Sequence, residues 1–220
     1  MRLFLILYVL FLVLGGTLLI TFNKEEIFFY FNNRHTDAGD LIFPIITHLG
    51  GGVVSLLVAL FAAVILNFRK AIIILVSFVL SGGIVQLLKR LVFDGEFRPS
   101  KYFEDVADIY TIPGLEMHQF HSFPSGHSAT IFSLCCCLAM VISVTRKTQS
   151  ELIGALIFVS AMLVAISRVY ISQHFFGDIY VGSVIGVVVT LIVFKYLSSP
   201  RFDKLSWFNL NVGQALRIRE

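Results

Sequence analysis

Charge is scarce in this sequence. Only 14% of its 220 residues are Asp, Glu, Lys or Arg, against about a quarter in a soluble domain. With 57% hydrophobic residues alongside, that shortage excludes an ordinary water-soluble globule and makes lipid the expected solvent. Cysteine is nearly missing as well. The three present, Cys135, Cys136 and Cys137, are consecutive in an apolar run. Disulfide frameworks and thiolate metal sites need spaced cysteines, so these read as small buried apolar side chains. The six histidines show no H-E-x-x-H or cysteine–histidine spacing, so neither a metal nor any other cofactor is expected. A net charge of +3 is too small to call for nucleic acid. In a membrane chain it reports orientation instead.

What fills the length is apolar runs. Residues 3–22 suffice for one helix across a hydrocarbon core of roughly 30 Å, and exceed the roughly 7–15 residues of a signal-peptide core. Further runs cover about 41–66, 71–90, 124–144, 152–171 and 175–197. The expectation is an all-α integral membrane six-helix bundle forming a single domain over 1–220. Asn23 to Asp40 reads as a polar loop. Gly50-Gly51-Gly52 in the second run permits a bend or close packing, and His48 beside it reads as a histidine satisfied by a neighbouring helix. Gly182 and Gly186 form a G-x-x-x-G packing pattern in the last run. An even number of spans puts both termini on one side. That side, with the Arg69-Lys70 and Arg146-Lys147 turns and the tail, holds ten of the 17 Lys and Arg. Excess Lys and Arg mark the cytoplasmic side, so both termini are expected there.

Three polar segments then fall at the opposite face. Phe123-Pro124-Ser125-Gly126-His127-Ser128 reads as a helix start, with Pro124 in the first turn and Ser125 and Gly126 offering a hydroxyl and backbone N–H groups to an anion. His127 adds a proton carrier in the same turn. A loop of about 30 residues, long enough to be functional, precedes it and contains Arg98-Pro99, His118 and His121. The third segment runs from Ser167-Arg168 to His174 and Asp178. The last two, four apart, would share a helix face. There the carboxylate would fix the imidazole tautomer and stabilise its cation. Arg168 joins them only if the chain turns at Ser172-Gln173. Taken singly, each residue has a plain structural reading: a capped helix, a snorkelling cation, a surface ion pair. Together they gather charge at a membrane face, where each costs roughly 2.5–3.5 kcal/mol to bury, and a bound phosphate would balance it.

These motifs resemble those of the type 2 phosphatidic acid phosphatase family, membrane lipid phosphatases related to vanadium haloperoxidases. The family pattern is K-x6-R-P, P-S-G-H and S-R-x5-H-x3-D. The second and third are matched without gaps, by Pro124 to His127 and by Ser167-Arg168 through His174 to Asp178. The resemblance implies that His174 is the nucleophile, Asp178 its orienting acid and His127 the proton donor to the leaving oxygen. Lys89, Arg98, Ser125, Gly126 and Arg168 would then bind the phosphoryl group. The first motif departs from the pattern, with eight residues between Lys89 and Arg98. Nine positions carry a helix through about 180°, so the two cannot share a continuous helix and one phosphate, and Arg90 is the alternative to Lys89.

The expected activity is hydrolysis of a lipid phosphate monoester or diphosphate through a phosphohistidine. Undecaprenyl diphosphate, lipid A and phosphatidylglycerophosphate are candidate substrates. The expected setting is a bacterial inner membrane with the site on the outer face. A non-catalytic lipid-binding scaffold of the same fold and a haloperoxidase-like enzyme are the rivals. The six spans argue against the latter, and the reactive spacing of His127, His174 and Asp178 against the former.

Overall fold

Sequence and lipid solvation account for most of the architecture. The computed structural model describes residues 1–145 and 150–217, and among them only helices and their connections occur, with no β-strand. The basic Arg146-Lys147 turn lies outside the described residues. Helix α1 (Arg2–Thr21) is the first apolar run. The expected polar loop that follows is largely helical. Asn23 opens α2 (Lys24–Asn32), its N–H donating to Glu26 Oε2 at 2.8 Å, a capping pairing that also fixes which face buries Ile27 and Phe28. Thr36 then caps α3 (Asp37–Ile46) by accepting the Gly39 N–H at 3.1 Å. The second span therefore starts before Leu41. Asp37 and Asp40 fit there because carboxylates stabilise a helix N-terminus.

After a 3-10 turn over Thr47–Gly50 comes α4 (Gly52–Ile65), and the two halves of this span meet at 54°. Helix α5 (Phe68–Leu91) is capped by Asn67, and the loop after it carries the short α6 (Pro99–Tyr102). Then follow α7 (Gly126–Thr145), α8 (Ser150–Tyr170), α9 (Phe176–Leu197) and, in the tail, α10 (Val212–Arg217). Pro124 lies outside α7 rather than in its first turn, so the fourth span begins two residues later than expected.

Five helices among the described residues are long and apolar enough to cross a membrane, and the bent α3–α4 pair makes a sixth when it is taken as one span. That pair returns the chain to the bundle end where α1 begins. Leu3 N–H donates to Glu151 Oε2 at 2.6 Å, and the tail closes on the start of α5 through Phe68 N–H to the Leu210 carbonyl (2.9 Å) and Arg69–Asp203 (2.7 Å). The starts of α1, α5 and α8 and the end of α9 thus share one end of the bundle. The α3–α4 pair therefore runs back along the bundle between α1 and α5.

Helix α7 is central, packed on α5, α8 and α9. Two-thirds of it is buried (67%), against 22% of α1. The G-x-x-x-G pattern of α9 is its contact with α7. A Cβ on Gly186 would meet the Ala129 carbonyl and lie 3.0 Å from Ser133 N, and one on Gly182 would lie 2.5 Å from the Ser125 carbonyl. The cysteine run is buried at the core of α7 with all three thiols free.

Candidate active site

The three motif segments converge at the bundle end away from the termini. Helix α8 stops at Tyr170, and Ser172 takes a left-handed φ of 56°. The Arg168 carbonyl then accepts the N–H groups of both Gln173 (3.0 Å) and His174 (3.1 Å). This is the turn that Arg168 needs to share a site with His174. At the start of α9, Asp178 Oδ2 accepts the Phe175 N–H at 3.0 Å. His174 therefore sits in the turn before α9, not on a helix face with Asp178 as its spacing predicts. The contact arises from the cap, and it is close: His174 Nδ1 to Asp178 Oδ2 is 3.0 Å.

Ser122 completes that pair. Its hydroxyl donates to the same Asp178 oxygen at 2.5 Å and lies 3.5 Å from His174 Nδ1. With Nδ1–H directed at a carboxylate, Nε2 keeps its lone pair. Only 1% of His174 is exposed, and Nε2 faces Arg98 Nη1 at 3.4 Å. Burial holds the His174 pKa well below its ordinary value, and Arg98, Arg168, Lys89 and His127 act in the same direction. A neutral imidazole thus faces a cationic wall.

Each cation is held by neutral groups. Arg98 caps α6, beyond the end of α5, so it and Lys89 reach the site from separate elements. Its Nε donates to the Phe120 carbonyl (2.9 Å), and Nη1 to the Gln173 carbonyl (3.1 Å) and Oε1 (3.0 Å). Burial lowers the Arg98 pKa from its ordinary value, with Asp178 opposing. Lys89, buried at the end of α5, donates to the His121 carbonyl at 2.7 Å. Arg168 Nη1 donates to Thr47 Oγ1 at 2.9 Å, while its buried Nε has no partner among the described residues. Among the described residues none of these three forms a carboxylate ion pair.

The helix start differs in detail from its sequence reading. Ser125 is fully buried. Its N–H donates to the Asp178 carbonyl at 3.0 Å, and its hydroxyl accepts from Ser128 Oγ at 3.2 Å. That leaves the N–H groups of Gly126 and His127, the first two of α7, without helical acceptors. His127 is half-buried, and the bent span reaches it from the side: a Cβ on Gly50 would lie 3.2 Å from both His127 Cβ and its carbonyl. His48, in the 3-10 turn, is exposed rather than satisfied by a neighbouring helix. Arg90, His118 and His121 are exposed at the rim, with His121 Nδ1 3.5 Å from Asp94. Of the two alternatives at the end of α5, Lys89 is thus the inward one.

Sequence reasoning missed Ser122, Gln173 and Thr47. Ser122 adjoins the Pro124–His127 motif and Gln173 adjoins His174, so position alone pointed at both. Thr47 gave only the signal of a hydroxyl before three glycines in an apolar run. An aromatic cluster of Phe28, Phe103 and Phe175 buttresses the His174 turn from α2 and α6. Lys24 lies 3.8 Å over the Tyr102 ring, and Tyr102 donates to Glu25 at 2.5 Å. No group of three or more His, Cys, Asp or Glu is placed to hold a metal among the described residues.

Comparison with known proteins places the chain in a family. No curated protein matches the sequence. Among solved structures, LpxE of Aquifex aeolicus superposes with a TM-score of 0.67 at 27% identity, over 80% of this chain and 98% of that one. The first transmembrane PAP2 type phosphatidylglycerolphosphate phosphatase from Bacillus subtilis superposes with a TM-score of 0.63 at 23% identity, over 89% and 96%. The family model of the PAP2 superfamily matches residues 70–201, from the start of α5 past the end of α9 and so across all three motif segments. The chain belongs to the PAP2 superfamily.

Proposed function

We propose that this protein is a membrane lipid phosphatase that works through a phosphohistidine. The observation that carries the reading is the arrangement around His174: three cations held only by neutral groups, facing an imidazole whose other nitrogen is tied to Asp178. A dianionic phosphoryl group entering between Nε2 and Arg98 supplies the missing negative charge. Arg98, Lys89, Arg168 and the first N–H groups of α7 then hold its oxygens. Ser125 assists by fixing that helix start.

In the first step Nε2 attacks phosphorus and the bond to the lipid oxygen breaks, with His127 giving that oxygen its proton. Asp178 stabilises the imidazolium character that develops on His174. In the second step His127 takes a proton from water, the water oxygen bonds to phosphorus, and the N–P bond breaks to release inorganic phosphate. No metal enters either step. Membrane helices and the solved relatives, one of them a phosphatidylglycerolphosphate phosphatase, support a lipid phosphate as substrate. Phosphatidylglycerophosphate, undecaprenyl diphosphate and lipid A remain the candidates. The Lys and Arg bias supports a site on the face away from the cytoplasm, and the compact size suits a bacterial inner membrane, whose outer face is periplasmic.

The test is phosphate release by the purified protein from a panel of lipid phosphates, with His174→Ala as control. Activity is expected to persist in excess EDTA and to be inhibited competitively by vanadate. Loss on chelation with recovery on adding Mg²⁺ would overturn the metal-free mechanism. Release by the His174→Ala variant would overturn the nucleophile.

A further inference from the structure

Beyond the phosphoryl centre lies a second polar space. A pocket of about 410 Å³ is lined by Gln86, Lys89, Arg90, Arg98, His118, Gln119, Phe120 and His121. Lys89 and Arg98 form its inner wall and belong to both spaces. Arg90, His118 and His121 form its outer wall, and no carboxylate lines it. The nearest acid is Asp94, whose Oδ1 is 3.5 Å from His121 Nδ1. The long spacing between Lys89 and Arg98 builds this space. With α5 ending at Leu91 and Arg98 opening α6, the intervening chain folds back so that Glu96 accepts the Ser122 N–H and Gln119 accepts the Arg98 N–H. That fold lays residues 118–121 over the last turn of α5.

The geometry points to this pocket as a subsite for a second phosphate, which makes a lipid diphosphate the preferred substrate class. This inference rests on the phosphatase reading above and sharpens it. In hydrolysis of a diphosphate, His174 takes the terminal phosphoryl group and the bridging oxygen departs with the lipid monophosphate. The second phosphate therefore belongs to the leaving group and must lie on the side that His127 serves. Arg98, 3.4 Å from His174 Nε2, and Lys89 also line this pocket, so a phosphate one bridging oxygen away stays in reach of the shared wall. Arg90 and His118 then contact it from outside. A monoester leaves this outer wall unused. Phosphate oxygens and Arg form the stronger class of hydrogen bonds, so the outer contacts are worth a measurable preference.

The experiment compares prenyl monophosphate and prenyl diphosphate of one chain length, with phosphatidylglycerophosphate as a third arm, in wild type and in Arg90→Gln, His118→Gln and the double variant. The double variant is expected to lose at least about tenfold in kcat/KM on the diphosphate, the effect of one charge-assisted contact. On the monophosphate it should change less than about twofold. Equal losses on the two, or none on either, would overturn the subsite while leaving the phosphatase reading intact. A loss confined to phosphatidylglycerophosphate would overturn the diphosphate assignment in favour of a glycerol-spaced second phosphate. A binding arm stands apart from turnover. Pyrophosphate should protect the His174→Ala protein against thermal unfolding more strongly than inorganic phosphate does, and the added double substitution should abolish the difference. Equal protection by both anions before that substitution would overturn the subsite even if no lipid were hydrolysed.

Discussion

Ser122 and His174 share one oxygen. Both direct hydrogen-bonding groups at Asp178 Oδ2, the hydroxyl from 2.5 Å and the imidazole Nδ1 from 3.0 Å. The serine thereby fixes the carboxylate rotamer that in turn fixes the imidazole tautomer. Removing its hydroxyl in Ser122→Ala should lower kcat by roughly tenfold with little change in KM, the effect of one hydrogen bond to a charged group of about 1.5 kcal/mol. Ser122→Thr should restore most of it. A loss expressed in KM instead would mean that Ser122 contacts the substrate.

His127 is assigned to the leaving group, so its loss should depend on what leaves. A lipid alkoxide needs the proton, and general acids contribute about 10²–10⁴-fold. A nitrophenolate departs without help. His127→Ala should therefore retain far more activity on p-nitrophenyl phosphate than on a lipid monophosphate, provided phosphoenzyme formation is followed directly by acid quench. Equal losses on both substrates would remove His127 from the acid role.

The depressed His174 pKa has a definite sign. A lowered value keeps the imidazole neutral as pH falls through its ordinary 6.5, so the acid limb of phosphoenzyme formation should lie below that pH. Burial is the main cause and Arg98 the next. Arg98→Gln removes a like charge, so the His174 pKa should rise and the acid limb should move to higher pH. The pH profile of phosphoenzyme formation from p-nitrophenyl phosphate measures this. A limb that stays put or moves down would show that Arg98 does not act on His174.

Packing of α9 on α7 sets the site from below. Gly186→Ala inserts a methyl against the Ala129 carbonyl and Ser133 N, an overpacking of about 1–3 kcal/mol, and should lower the Tm in detergent. Gly82→Ala in α5 meets nothing within 4 Å and should leave Tm unchanged or raise it, since Gly in a helix interior costs roughly 0.5–1 kcal/mol relative to Ala. The same response from both variants would count against the close approach.

Orientation is open to chemical labelling. In a background with Cys135–Cys137 replaced, Asp105→Cys in the long loop should react with an impermeant thiol reagent in spheroplasts, and Gln214→Cys in the tail should not. Both positions are exposed in the folded chain, so access is decided by the membrane. The reverse pattern would put the site on the cytoplasmic face.

The legible part of this protein is what lipid and chemistry force into the sequence. Spans must be long apolar runs, so their rough bounds were readable, and polar residues at a membrane face are rare enough that Arg168, His127, His174 and Asp178 stood out. What stayed hidden depends on contacts between distant segments. Helix α2 is amphipathic and short, and its capping residues look like a polar loop until Phe28 meets Phe103 and Phe175. The four-residue spacing of His174 and Asp178 reads as a helix, but a positive φ at Ser172 turns the chain and the Asp178 cap supplies the same contact by another route. Thr47 marks the clearest limit. Its hydroxyl has meaning only because the second span breaks beside Arg168, and nothing near it in sequence names that partner.

The break has a consequence for the membrane itself. Helix α4, with 14 residues, rises only about 21 Å, short of a hydrocarbon core of roughly 30 Å. The balance is made up by α3, inclined at 54° and presenting Leu41, Ile42 and Ile45 outward. Elsewhere the bundle meets the bilayer with helices of 20 to 24 residues. Its apolar outer surface is therefore straight along those helices and angled along the α3–α4 pair. Because the same break carries Thr47 to Arg168 and Gly50 to His127, the bend that angles the outer surface of this span is also the joint on which two site residues rest.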